Sequence, residues 1–207
     1  VAGAMSFLDS TDDDPKRASR RPLLFFILVT SAVGASASVF TEPNIAGWYA
    51  GLVHPSFAPP NWVFAPVWTT LYVLMAVAAW RVWRLRPASP AREALAVGRG
   101  SHPGEPSPVA GSALARVASE GRRGSVKIEM GIYALQLIFN FAWSAIFFAA
   151  HQIGLALVEI SVLAALILAT TILFWRRDRL AGWLFLPYLA WTSFATALNY
   201  AFWTLNP

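Results

Sequence analysis

The chain has 207 residues, a 57% apolar composition and a mean hydropathy of +0.51, with only 13% charged side chains, against roughly 25% in soluble domains. This excludes an ordinary soluble globule and points to a protein that lives in a bilayer. The lack of cysteine excludes disulfides, thiolate catalysis and Cys-based metal centres, and the net charge of +5 sits at the margins of apolar segments rather than on a patch suited to nucleic acid.

In chain order, residues 1–21 run from Asp12-Asp13-Asp14 to the basic cluster Lys16, Arg17, Arg20 and Arg21 and are expected to form a disordered tail, with Met5 as the expected start. Residues 22–207 then read as one membrane domain. Its first apolar span, Pro22 to Phe40, covers 19 residues, close to the roughly 20 that cross a bilayer. No A-x-A site follows, so it is read as retained rather than as a signal peptide. Gly34-Ala35-Ser36-Ala37-Ser38 within it are small residues that let helices approach closely. The loop after it joins the second span through Trp48 to Trp68, WYAGLVHPSFAPPNWVFAPVW. A loop so rich in aromatics and prolines, without charge, is expected to fold onto something apolar as a stiff cover over Trp48 to Pro60.

Further spans are expected over Trp62 to Trp83, Met130 to Ala150, Gln152 to Trp175 and Ala181 to Trp203. Residues 85–126, rich in Pro, Gly, Ser and Arg, read as a disordered inner loop. Of the sixteen basic residues, four precede the first span, nine lie from Arg81 to Lys127, and Arg176, Arg177 and Arg179 complete the set. All therefore lie on one side, which places the N-terminus inside, the C-terminus outside and the aromatic loop on the outer face. The fold expected is an all-α bundle of five transmembrane helices with a long lid loop between the first two. Glu159, the one acid near the middle of a span, is a functional suspect because of its cost in hydrocarbon, but it is better read as a structural residue near a helix head that faces water.

No metal site is expected, because His54, His102 and His151 fall on separate loops, and no hydrolase, Walker or Rossmann pattern occurs. Instead three helix faces carry aromatics beside polar groups: Trp68 and Tyr72; Gln136, Asn140, Trp143 and Phe147; Trp191, Ala195, Leu198 and Asn199. Trp62, Trp83, Trp175, Trp183 and Trp203 suit interfacial anchors, whereas Trp68, Trp143 and Trp191 lie deeper. Asn140 and Asn199 serve equally well on this reading as interhelical glue or as ligand contacts. An aromatic pocket with a few amides suits a large, flat, apolar molecule with polar edges.

The run WYAGLVHPSFAPPNWVFAPVWTTLY, followed by QLIFNFAWSAIFF and LPYLAWTSFATALNYAFW, resembles the translocator protein family, also called tryptophan-rich sensory proteins or peripheral-type benzodiazepine receptors. The resemblance covers about Pro22 to Trp83 and Met130 to Trp203. It implies a five-helix bundle, commonly a homodimer, whose first loop lids a pocket for porphyrins such as protoporphyrin IX, and for sterols or benzodiazepine-type drugs in some members. Matched residue by residue, it implies a lid of Trp48, Tyr49, Pro59 and Pro60. It implies ligand-binding residues Trp62, Trp68 and Tyr72 on the second helix, Asn140, Trp143 and Phe147 on the third, and Trp191, Ala195 and Leu198 on the fifth. Trp68 and Trp191 resemble the tryptophans linked in bacterial members to light-dependent porphyrin breakdown. The sequence departs from the family where Tyr200 lacks the basic residue of the sterol motif, where His54 replaces a common lysine, and in the length of the 85–126 insertion.

The expectation is thus a multi-pass protein of a bacterial rather than a mitochondrial outer membrane. It binds porphyrin, with no required cofactor and no nucleic-acid partner, in tetrapyrrole transport or sensing. The alternatives are an enzyme that degrades porphyrin with light and oxygen through Trp68 and Trp191, and a regulatory membrane scaffold.

Overall fold

The structure, a computed structural model, describes residues 15–86 and 126–207, with side chains from residue 21. The disorder expected of residues 1–14 and 87–125 lies outside the described residues. Five long helices make up the rest: α1 (Pro15–Ile45), α2 (Phe64–Trp83), α3 (Lys127–Ser144), α4 (Ile153–Arg177) and α5 (Arg179–Leu205). Arg21–Ile45, Asn61–Trp83, Lys127–Ala149 and Ile153–Arg177 are long and apolar enough to cross a membrane. Helix α5, at 27 residues, is as long and carries no charged residue after Arg179, but its tryptophans, tyrosines, asparagine and proline lower its mean hydropathy.

Several helix ends differ from the sequence expectation, including that of α1, which runs on past Phe40 to Ile45. Helix α1 begins at Pro15, so part of the expected tail is helical. Proline fits a first helical position, where its missing N–H would have no partner in any case, and the interior Pro22 interrupts the ladder without ending it. Trp62 lies on a 3₁₀ turn, Asn61–Val63, that precedes α2 rather than on the helix itself. Helix α3 also ends unexpectedly, in a π-helical turn over Ala145–Ala149. On this wider turn the neighbours Phe147 and Phe148 are both buried, at 2% and 8% exposure, and the angle between them is narrower than the roughly 100° of a regular α-helix.

The helices pack as a closed ring in which α1 touches α2 and α3, α2 touches α5, α5 touches α4, and α4 returns to α3. Helices α4 and α5 form the tightest pair. Their hairpin turns on the single extended residue Asp178, whose carboxylate accepts from the backbone N–H of Leu180 at 2.9 Å and of Ala181 at 3.3 Å. The same side chain pairs with Arg81 of α2 at 2.7 Å. Gly182 permits the approach, since a Cβ there would stand 2.9 Å from the Trp175 backbone. At this inner end Arg177 also meets Glu129 at 2.6 Å, and Arg84 and Arg86 cover the faces of Trp80 and Trp83 at 4.6 and 3.4 Å, as cations do at a membrane boundary.

Outward faces carry Leu24, Phe25, Leu28, Ile138, Leu155 and Val158, all exposed. In hydrocarbon such exposure costs nothing, and helix association rests on packing and interhelical hydrogen bonds. The inner half of the bundle supplies the packing through Phe26, Met75, Tyr133, Ile167, Phe174, Phe185 and Tyr188. A second buried cluster, Tyr49, Phe147, Phe148, Ile153, Ala156, Leu198 and Phe202, closes the outer end.

Candidate functional site

Between the two clusters lies a cavity of about 560 Å³, within the roughly 300–1,000 Å³ of small-molecule sites. Its wall draws on α1, α2, α3, α4, α5 and the first loop. Helix α1 contributes its small residues: Gly34, Ala35 and Ser38 face the space. A Cβ on Gly34 would overlap the edge of the Tyr72 ring, so glycine sets how closely α1 and α2 meet at the cavity wall. The small-residue stretch expected to serve helix packing therefore also forms part of the cavity wall.

Nine of the thirteen residues expected to bind ligand line this cavity: Tyr49, Trp68, Tyr72, Asn140, Trp143, Phe147, Trp191, Ala195 and Leu198. The three aromatic stripes converge as their spacing predicts. Trp68 stacks on Tyr72 with ring centroids 5.5 Å apart, Trp143 stacks on Phe147 at 5.1 Å, and Trp191 meets Phe64 edge-on at 5.8 Å. The other four stand off the wall. Trp48 lies behind it, Pro59 borders a shallow groove between α2 and α5, Pro60 is exposed, and Trp62 is 74% exposed, the environment of an interfacial anchor. Sequence reasoning misses Phe64, Phe148, Phe202, Thr192 and Glu42 as wall residues; Thr192 is one residue from a recognised tryptophan but on no stripe.

Beneath the aromatics runs a directed chain of hydrogen bonds. The Tyr72 hydroxyl donates to Asn140 Oδ1 at 2.8 Å, Asn140 Nδ2 donates to the Tyr188 hydroxyl at 3.0 Å, and that hydroxyl donates to Gln136 Oε1 at 3.0 Å. Higher in the wall, Trp143 Nε1 donates to Asn199 Oδ1 at 3.0 Å, and Asn199 Nδ2 donates to the Ile153 carbonyl at 3.0 Å. Both asparagines thus bond across helices and also face the cavity. Gln136, from the same stripe, is fully buried and lies off the wall. Among the described residues, Gln136 Nε2, Thr192 Oγ1 and both oxygens of Glu159 are buried polar atoms without a hydrogen-bond partner. Glu159 is 8% exposed on the inward face of α4, so it does not face water, contrary to the sequence expectation.

The first loop covers the outer end. Tyr49 is buried, its ring 5.4 Å from Phe202 and 5.8 Å from Phe148, and burial pushes its hydroxyl pKa above the ordinary tyrosine range. Trp48 stacks on His151 at 4.2 Å and 14°. His151 takes up a positive φ of 56°, rare for a residue with a side chain, and its Nε2 lies 3.1 Å from Asn44 Oδ1. Farther along, the carboxamide of Asn206 pairs with Val53 as a neighbouring strand would. Val53 N–H donates to Oδ1 at 2.8 Å, and Nδ2 donates to the Val53 carbonyl at 3.1 Å and to the Phe202 carbonyl at 2.9 Å. Nothing in local sequence signals this contact across the chain.

Comparison with known proteins agrees with this architecture. Residues 26–99 and 107–204 match the TspO/MBR family. The human protein named "Translocator protein" is 34% identical over 185 residues, covering 89% of this chain and 90% of its own. "Tryptophan-rich protein TspO" of Chlorobaculum tepidum is 33% identical over 177 residues, 85% of this chain and 90% of its own. "Protein CrtK" of Rhodobacter capsulatus is 30% identical over 182 residues, 88% and 91% respectively.

Proposed function

Because this chain belongs to the TspO/MBR family of integral membrane proteins, we propose that it is a receptor or carrier for porphyrins and related flat apolar molecules, bound in the cavity beneath the loop and serving tetrapyrrole transport or sensing. The observation that carries this reading is the wall itself: Trp68, Trp143 and Trp191 on three different helices face one cavity of about 560 Å³. Flat aromatic surfaces bury a flat ligand at about 25 cal/mol per Å² and add stacking. The uncharged amides beside them fix orientation without the cost of a buried charge. The lid, held by Tyr49, Trp48 and Asn206, keeps water from the bound face.

Titration of the protein's tryptophan fluorescence with protoporphyrin tests this. Saturable quenching that weakens in a Trp68→Phe, Trp191→Phe double variant is expected; quenching that is absent, or unchanged in that variant, refutes it. A homodimer in the bilayer belongs to the same reading, and crosslinking in nanodiscs is expected to trap a pair of chains. A second reading, light- and oxygen-dependent degradation of the bound porphyrin, is favoured by the position of Trp68 and Trp191 on one cavity wall. Illuminating the complex in air should then yield a bilin-like absorption product faster than from free porphyrin, and equal rates would discard it.

A further inference from the structure

Glu159 departs from what a membrane helix ordinarily tolerates. It stands six residues into α4, about 9 Å below that helix's outer end at 1.5 Å per residue, and neither of its buried carboxyl oxygens has a hydrogen-bond partner. Its bearing follows from Arg177. The two residues are eighteen apart, which is five turns at 3.6 residues each, so they share one face of α4, and on that face Arg177 meets Glu129 of α3. Glu159 therefore lies in the seam between α3 and α4, roughly 27 Å outward of that ion pair. In this outer half of the seam α4 also touches the π-helical turn Ala145–Ala149, and the Gln152 N–H donates to the Ile146 carbonyl at 3.1 Å.

No charge on the surrounding elements answers this carboxyl. Residues 22–80, 128–175 and 180–207 contain no Lys or Arg. At the inner end Glu129 pairs with Arg177 and Asp178 with Arg81, and Lys127, Arg176 and Arg179 belong to that same end. Nearer to Glu159, the titratable groups are engaged elsewhere. Tyr133 of α3 bonds with Thr30, Tyr188 of α5 is held between Asn140 and Gln136, and Tyr72 of α2 donates to Asn140. His151, in the turn before α4, stacks on Trp48 and lies 3.1 Å from Asn44. Glu129, buried in the same seam, has the guanidinium that Glu159 lacks. An unpaired carboxylate out of water is so costly that such a group holds a proton instead.

The position of Glu159 gives that proton a consequence. Ile160 and Leu163 of α4 face the cavity, and so do Ser144, Phe147 and Phe148 across the seam, so the seam is the back of the cavity wall. A neutral acid rests there at small cost, whereas an anion must draw in water, which enters only where the helices part. We propose that Glu159 is a proton-binding site buried in the α3–α4 seam, where the neutral acid keeps the seam shut and loss of the proton loosens the π-helical turn that carries Phe147 and Phe148. This site is separate from the ligand cavity, and it can be tested with no ligand present.

Dicyclohexylcarbodiimide, an apolar reagent that adds to protonated carboxyl groups, is applied to the full chain in nanodiscs, and the modified residues are read by peptide mass spectrometry. Glu159 is expected to be labelled at least about tenfold more than Glu129, with labelling that falls as the pH rises from about 5 to about 9. No label at Glu159, or label that ignores pH, overturns the site. Glu159→Gln, a neutral side chain of the same shape, gives a second readout. The folded chain holds a proton that the unfolded chain releases near the ordinary carboxylate pKa of about 4.3, so stability is complete below that value and is lost as pH rises above it. The parent's Tm should therefore fall relative to that of the variant, by a few degrees at about pH 9; a constant difference also overturns the site. Amide exchange over Ala145–Ala149 should run severalfold faster in the parent than in the variant at about pH 9 and equally at about pH 5. Equal rates at both overturn the link between the proton and the turn.

Discussion

The two halves of this bundle are built from the same five helices and do opposite things with them. Toward the inner side, rings interlock: Phe26 meets Trp83 at 6.0 Å, Tyr133 stacks on Phe174 at 6.0 Å, and Phe174 meets Phe185 at 5.2 Å. Ion pairs between Arg81 and Asp178 and between Arg177 and Glu129 tie the helix ends. Toward the outer side, the small residues of α1 leave space that no side chain fills, and the first loop lines part of it through Tyr49 and Asn61. In a membrane, apolar surface does not drive helices together, because lipid tails are equally apolar. Shape and hydrogen bonding must hold the bundle. Filling one half tightly allows the other to stay hollow.

This contrast can be broken by substitution. The largest effect is expected at the inner hairpin, where Gly182→Val brings a branched side chain against the Trp175 backbone and should cost about 3 kcal/mol. Thermal unfolding in nanodiscs reads it, and a variant as stable as the parent would show that the inner half is not tightly packed. A smaller loss, about 1–2 kcal/mol, is expected for Tyr188→Phe, which leaves Asn140 Nδ2 and Gln136 Oε1 without their shared hydroxyl. If the hydroxyl serves the ligand instead, affinity will fall while stability holds. The smallest change in stability, under about 1 kcal/mol, is expected for Asn206→Ala at the lid. Its signature is kinetic: stopped-flow association and dissociation of protoporphyrin should both quicken severalfold with little change in Kd, and unchanged rates would show that Asn206 does not restrain the loop.

The division between the halves is partly legible in the sequence. Charge-free apolar runs locate the five helices, because leaving out charge is what hydrocarbon demands of any helix that crosses it. The four-residue spacing of Trp68 and Tyr72, and the three- and four-residue spacings of Asn140, Trp143 and Phe147, suffice to put those side chains on common faces. Hydropathy does not reveal the helical stretch before Pro22, because basic residues conceal a helix without ending it. Nor does a 3.6-residue period anticipate the π-helical turn on which both Phe147 and Phe148 are buried. The cavity wall on α1 shows in the sequence only as small residues, which signal close packing and empty space alike until the facing helix is placed. Asn206 reaches Val53 across 153 positions, a separation over which sequence pattern carries no information.

The stack of Trp48 on His151 gives the loop an optical signature of its own. Among the described residues, Trp48 is the one tryptophan whose indole lies flat on an imidazole, 4.2 Å away, and it stands off the cavity wall. A cavity ligand that does not absorb in the range of tryptophan emission therefore changes the emission of Trp68, Trp143 and Trp191 by contact, but that of Trp48 chiefly by moving the loop. In a protein whose remaining tryptophans are replaced by phenylalanine, the emission of Trp48 becomes a clock for the lid, separating the time of opening from the time of binding.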